Sequence, residues 1–178
     1  MQIPIVPLSE AAFAPFGQLV ELHAADLITI NQGFAARVDD LARIDVATDG
    51  GAVNISLFVA LPRPVPIDIK VMERHPLGSQ LFFPLQASPW LVLVCTDPHV
   101  PTSYRAFEAS GHQGVNYARN VWHHPLLVLN AEERFLVVDR AGPGSNLEEV
   151  WLDQTLSLHP GARAGAAAAN TARHLGTG

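Results

Sequence analysis

Ile67-Asp68-Ile69-Lys70-Val71-Met72-Glu73-Arg74-His75-Pro76-Leu77-Gly78-Ser79-Gln80-Leu81-Phe82-Phe83-Pro84 is the stretch on which the fold turns. Ile67 to Glu73 reads as a strand, Pro76 and Gly78 force a turn, and Gln80 opens the next strand. Glu73 and His75 are two apart, so on extended chain both side chains leave the same face. The hairpin therefore carries a carboxylate, an imidazole and the Gln80 amide toward one another. Gln80, Phe82 and Pro84 share one face of their strand, and that face must border a polar cavity.

Downstream the punctuation continues at even spacing: Trp90 to Thr96, Ser103 to Phe107, Gly114 to Ala118, His123 to Leu129 and Arg134 to Arg140. Pro, Gly, Asp and Asn clusters separate them and no helix-period segment intervenes, the pattern of an antiparallel barrel or sandwich. Glu148 to Leu152 adds a last strand or a docked arm. Upstream, Ile3 to Val6 suits an edge strand, and Ser9 caps a one- to two-turn helix that Pro15 ends. Gly17 to Leu22 and Leu27 to Phe34 read as strands, the second interrupted by Asn31-Gln32-Gly33. Ala36 to Ala42 suits one helical turn, and Asp49-Gly50-Gly51 signals a hairpin before the β-rich Val53 to Ala60. Leu61-Pro62-Arg63-Pro64-Val65-Pro66 is an extended, proline-stiffened crossing. Residues 1–158 are expected to form a single barrel domain and residues 159–178 a flexible Ala/Gly-rich tail.

At 178 residues, 48% apolar and 16% charged, the chain has the make-up of one soluble globular domain. No apolar run is long enough to span a membrane, and Met1-Gln2-Ile3-Pro4 lacks the features of a signal peptide. A net charge of -6, with eleven scattered Lys and Arg and no basic stripe, argues against a nucleic-acid partner. Cys95, alone within Leu91-Val92-Leu93-Val94-Cys95, reads as a buried, inert thiol; the expected compartment is the cytoplasm.

A second segment, Trp122-His123-His124-Pro125, answers the first. On a regular strand His123 and His124 point to opposite faces, so one of them completes the cluster and the other does not. Glu73-x-His75-x4-Gln80 has the spacing of the first metal motif of the cupin barrels, His-x-His-x4-Glu, with both outer positions substituted. Ala118-x-Asn120-x2-His123 overlays the second cupin motif, Pro-x-Gly-x2-His, and this register favours His123, with His124 as the fallback. The ligand set Glu73, His75, Gln80 and His123 suits a divalent metal (Ni, Mn or Zn) or a metal-free acid/base cluster, with no organic cofactor. Arg74 and Arg119 each flank a motif and offer a planar fork for a small carboxylate, with a surface ion pair as the competing role. Asn116 and Gln80 are further substrate-binding candidates, and the Tyr117 hydroxyl a proton donor or relay.

The blocks Glu73 to Gln80 and Gly114 to Leu126, with Phe13 to Gly17, Ile30 to Gly33 and Val138 to Arg140, make the chain resemble the ureidoglycolate lyase family. The resemblance implies an all-β, cupin-like antiparallel barrel of jelly-roll type, with one or two short helices near the N-terminus. It implies a homodimer that splits ureidoglycolate into glyoxylate and urea in allantoin degradation. Glu73, His75, His123 and Tyr117 are then the acid/base candidates. One departure stands out: the family often carries an Arg shortly after the pair matched by Ile55-Ser56, and this chain has Val59 in that stretch. Rival readings are another small-acid enzyme on the same barrel, an amidohydrolase or isomerase, and a non-catalytic small-acid binder.

Overall fold

A computed structural model describes residues 1–23 and 26–161. The strands are β1 (Gln2–Ile3), β2 (Ile5–Pro7), β3 (Gly17–Val20), β4 (Ile28–Ile30), β5 (Ala35–Arg37), β6 (Ala52–Ala60), β7 (Ile67–Arg74) and β8 (Gln80–Pro84). They continue with β9 (Trp90–Cys95), β10 (Arg105–Ala109), β11 (Gly114–Tyr117), β12 (Trp122–His123), β13 (Leu127–Val128), β14 (Glu133–Ala141) and β15 (Glu148–Leu158). Among the described residues a single short α-helix, α1 (Glu10–Phe13), lies near the N-terminus and places Phe13 in the core. No helix among the described residues is long and apolar enough to cross a membrane.

Two sheets make the body. The larger runs β1-β15-β7-β12-β9-β10-β2 with β13 added on β9, and the smaller runs β3-β11-β8-β14-β6. Between them Phe82, Val115, Tyr117, Phe135 and Val137 of the smaller sheet meet Trp90, Val92, Val94 and Phe107 of the larger. Trp90 and Phe135 pack edge-on, with ring centroids 4.9 Å apart. Fully burying such side chains contributes about 1.5–3 kcal/mol each. β9 is buried along its whole length, because Leu91, Leu93 and Cys95 enter a second cluster on its opposite face with Ile67, Ile69 and Leu156. A strand buried on both faces reads as an unbroken apolar run, which is what Trp90 to Cys95 is.

The all-β barrel expected from the strand spacing is present, with local corrections. Ile3 to Val6 splits at Pro4 into β1 and β2, which pair parallel with β15 and β10 at the two edges of the larger sheet, so pairing is not antiparallel throughout. Ala36 to Ala42 contains no helical turn; Ala35–Arg37 pairs with Ile28–Ile30 across the Asn31-Gln32-Gly33 turn, where Asn31 and Gln32 hold positive φ. Asp49-Gly50 forms a short 3-10 turn into β6 rather than a hairpin, since residues 38–47 before it hold no strand. His123 to Leu129 is two short strands, interrupted around Pro125, which has no N–H to give a ladder. β15 runs eleven residues, well beyond Leu152. Of the expected tail, only residues 159–161 lie among those described.

Candidate functional site

β7 ends at Arg74, the chain turns through Pro76-Leu77-Gly78, and β8 begins at Gln80. His123, on β12, lies directly opposite Glu73 of β7 and Val94 of β9. That register aims the carboxylate and the imidazole at each other: His123 Nε2 is 3.4 Å from Glu73 Oε1. The Gln80 side-chain oxygen sits 3.1 Å from His75 Nε2 and 3.3 Å from His123 Nε2, bridging the two imidazoles. One ligand atom each from Glu73, His75 and His123 lies within 4.8 Å of the others, the one such group among the described residues.

The outer nitrogens settle the tautomers. His75 Nδ1 is 2.7 Å from the Asn146 carbonyl and His123 Nδ1 is 2.9 Å from the Val121 carbonyl. A carbonyl only accepts, so each Nδ1 carries a hydrogen; Nε2 presents a lone pair when the ring is neutral and donates to Glu73 or Gln80 when it is charged. Two such nitrogens, the Gln80 amide oxygen and a carboxylate then converge as four acceptors. Acceptors crowd this way around a cation, a shared proton or a metal ion, and carbonyl-anchored histidines are usual around metals. The residues therefore fit a divalent metal.

The surroundings hold this geometry. The Asn120 N–H donates to the His75 carbonyl, tying the second segment to the first, and the Asn146 side chain accepts from the Leu77 N–H, tying the first to the β14–β15 connection. Asn120 holds φ +65, a left-handed conformation that Asn tolerates, which fits its place where the cupin motif has Gly. Tyr117, opposite Gln80 in register, stacks on His123 with centroids 4.2 Å apart and rings 11° from parallel. Burial, and then the Glu73 charge, push the Tyr117 phenol well above its ordinary pKa. Burial also raises the Glu73 carboxyl, but the hydrogen bond and charge of His123, with His75 and His124, outweigh it and leave the pKa below the ordinary value.

Not every candidate converges here. Arg74 pairs with Glu148 at 2.6 Å and lies 4.6 Å over the Trp122 ring, and Arg119 pairs with Asp45 at 2.7 Å. Asn116, on the face of β11 opposite Tyr117, donates to Gln18 and to the Arg43 carbonyl. Asn116 and Arg119 line a separate cavity of about 460 Å³ with Arg43, Asp45 and Ser79, bordered by none of the cluster residues. His124 also points away: its Nδ1 is 2.6 Å from the Pro125 carbonyl, and its buried Nε2 has no hydrogen-bond partner among the described residues. Burial, opposed by the Pro125 contact and aided by the Arg63 charge, lowers the His124 pKa to about 4. Two residues passed over in the sequence emerge. Asn146 carries no spacing signal, and Arg63 was hidden in the proline-rich crossing. Arg63 borders a cavity of about 400 Å³ with Glu73, Val59, Phe58, Phe82 and Leu126.

An all-β barrel with an acid/base and potential metal cluster between its sheets defines the class of protein. The ureidoglycolate lyase family model matches residues 1–159, and the chain belongs to that family. It is 50% identical over 157 residues to ureidoglycolate lyase 1 of Rhizobium meliloti, covering 88% of this chain and 92% of that one. It is 44% identical over 161 residues to ureidoglycolate lyase of Azotobacter vinelandii, covering 88% and 97%. Among solved structures it is similar to a dTDP sugar isomerase from Desulfovibrio desulfuricans, at 19% identity and a TM-score of 0.44, covering 75% of this chain and 83% of that one.

Proposed function

We propose that this chain splits ureidoglycolate into glyoxylate and urea, as a cytoplasmic step of allantoin degradation. The observation that carries the reading is the convergence of Glu73, His75, His123 and Gln80 in a chain of this family. Ureidoglycolate bears a hydroxyl, a carboxylate and a ureido nitrogen on one carbon. As the C–N bond breaks, a base takes the hydroxyl proton, its oxygen becomes the aldehyde carbonyl of glyoxylate, and an acid protonates the departing urea nitrogen. No covalent intermediate is needed.

Glu73, ionised beside His123 Nε2, serves as the base, either by itself or with His123. His75, more exposed than His123, takes up on Nε2 the proton that leaves the hydroxyl and passes it to the departing urea nitrogen. Tyr117 keeps its proton and supports His123 by stacking, with its hydroxyl as the alternative donor. Glu73, His75 and His123, with Gln80 as a fourth ligand, would hold a Ni, Mn or Zn ion. Such an ion supplies polarisation of a bound oxygen and a fixed positive charge.

The test is direct. Purified protein given ureidoglycolate releases urea and glyoxylate in equal amounts; no release rejects the reading. If a metal serves the reaction, chelation suppresses turnover and Ni, Mn or Zn restores it.

The working unit is a homodimer. Ile55, Leu57 and Val59 on the outer face of β6 stand exposed beside Leu136, Val138, Leu81 and Phe83, none of which joins either core cluster. The far edge of β6 has no hydrogen-bond partner among the described residues. This strip is about 30 Å long and about 14 Å wide, or about 400 Å² in projection. Standing side chains and the free edge raise that toward the roughly 800 Å² a side of a standard interface. A second copy offering the same apolar face is its natural cover.

A further inference from the structure

The described arginines divide by what they touch. Arg37, Arg74, Arg119 and Arg134 are ion-paired with Asp39, Glu148, Asp45 and Glu132. Arg105 and Arg140 donate to backbone carbonyls. Arg43 and Arg63 have no hydrogen-bond or ion-pair partner for their guanidinium groups among the described residues. Arg43 lines the cavity that Glu73 does not border, and Arg63 is the one cation lining the cavity that Glu73 does border.

We propose that Arg63 binds the carboxylate of the substrate and so sets the preference for a ureido compound bearing a free acid. The inference rests on the lyase reading. An anionic substrate entering this cavity needs a cation to hold it beside the Glu73 carboxyl group. Arg63 is placed to supply it. The free guanidinium offers paired N–H donors that match a carboxylate bidentately. Pro62 and Pro64 fix the backbone on both sides, so little chain entropy is lost on binding. Phe58, Val59, Ala60, Leu61 and Phe82 supply apolar wall beside the Arg63 and Glu73 side chains. With the carboxylate held there, the hydroxyl and ureido nitrogen of the same carbon are left to face Glu73.

Steady-state kinetics of Arg63→Gln and Arg63→Lys test this, together with competitive inhibition by oxamate, a small carboxylate, and by urea, which is neutral. Removing a charged hydrogen-bond donor costs roughly 10- to 100-fold in kcat/KM. R63Q should lose that factor mainly through KM and lose oxamate inhibition while keeping urea inhibition; R63K should recover part of both. Unchanged KM and oxamate inhibition in folded R63Q would overturn the proposal, as would finding these losses in Arg74→Gln or Arg119→Gln instead. If the wild type fails to turn over ureidoglycolate, the lyase reading fails by itself. Calorimetric binding of glyoxylate to wild type against R63Q then decides Arg63: weakened binding supports it, and equal binding ends it.

Discussion

His123 and His124 are the same residue type one position apart, yet the strand sends them to different surroundings. His123 faces Glu73 and Gln80, while His124 turns to the Pro125 carbonyl and stays neutral in apolar surroundings. The choice rests on β12 register, and β12 is reached through the left-handed turn at Asn120, whose N–H binds the His75 carbonyl. One backbone hydrogen bond thereby links two segments far apart in sequence. A positioned acid or base is worth about 10²–10⁴-fold in rate. His123→Ala should therefore lower kcat at least a hundredfold while far-UV circular dichroism remains that of a folded β protein. Near-wild-type turnover in that variant would remove His123 from the mechanism.

At the scale of the element, β9 shows how burial on both faces governs the chemistry of a side chain. Cys95, at its end, is pushed up to about 12 by burial, with Asp97 adding to the rise and the Tyr104 and Ser103 contacts opposing it. In the unfolded chain the thiol ionises near its ordinary value of 9.0. Between these values the unfolded state loses a proton that the folded state keeps. The contribution to stability is therefore complete below pH 9 and is lost as pH rises toward 12. By pH 11 the loss is about 2–3 kcal/mol. The melting temperature of the wild type should fall more steeply from pH 8 to 11 than that of Cys95→Ala, and a thiol reagent should label Cys95 only after denaturation. Parallel melting curves, or rapid labelling of the native protein, would show the thiol to be accessible and ionisable.

For the whole molecule, the uncovered face of the smaller sheet is the feature a single chain leaves unsatisfied. Leu57→Asp puts a charge in the middle of that strip and should convert a dimer into a folded monomer in sedimentation equilibrium. The same change on β15, Trp151→Asp, should leave the dimer intact, since Trp151 lies outside the strip although it is exposed. A monomeric wild type, or an L57D protein that remains dimeric, would remove this face as the interface.

Strand after strand could be read from the chain because alternation and turn residues are local signals: Pro76, Gly78 and the Asn31-Gln32-Gly33 turn act on their own neighbours. The Glu73, His75 and Gln80 grouping was legible for the same reason, since one hairpin carries all three. Where a side chain finds its partner across the barrel was not legible. Arg74 and Arg119 resembled substrate grips until Glu148 and Asp45 were seen to hold them, and Arg63 resembled a linker residue until the crossing was seen to line the cavity beside Glu73. Local sequence determined the strands, the turns and the chemical groups available. Only tertiary structure decided which charges are neutralised and which remain free for a ligand, because long-range pairing depends on sheet register and on which face each strand turns inward.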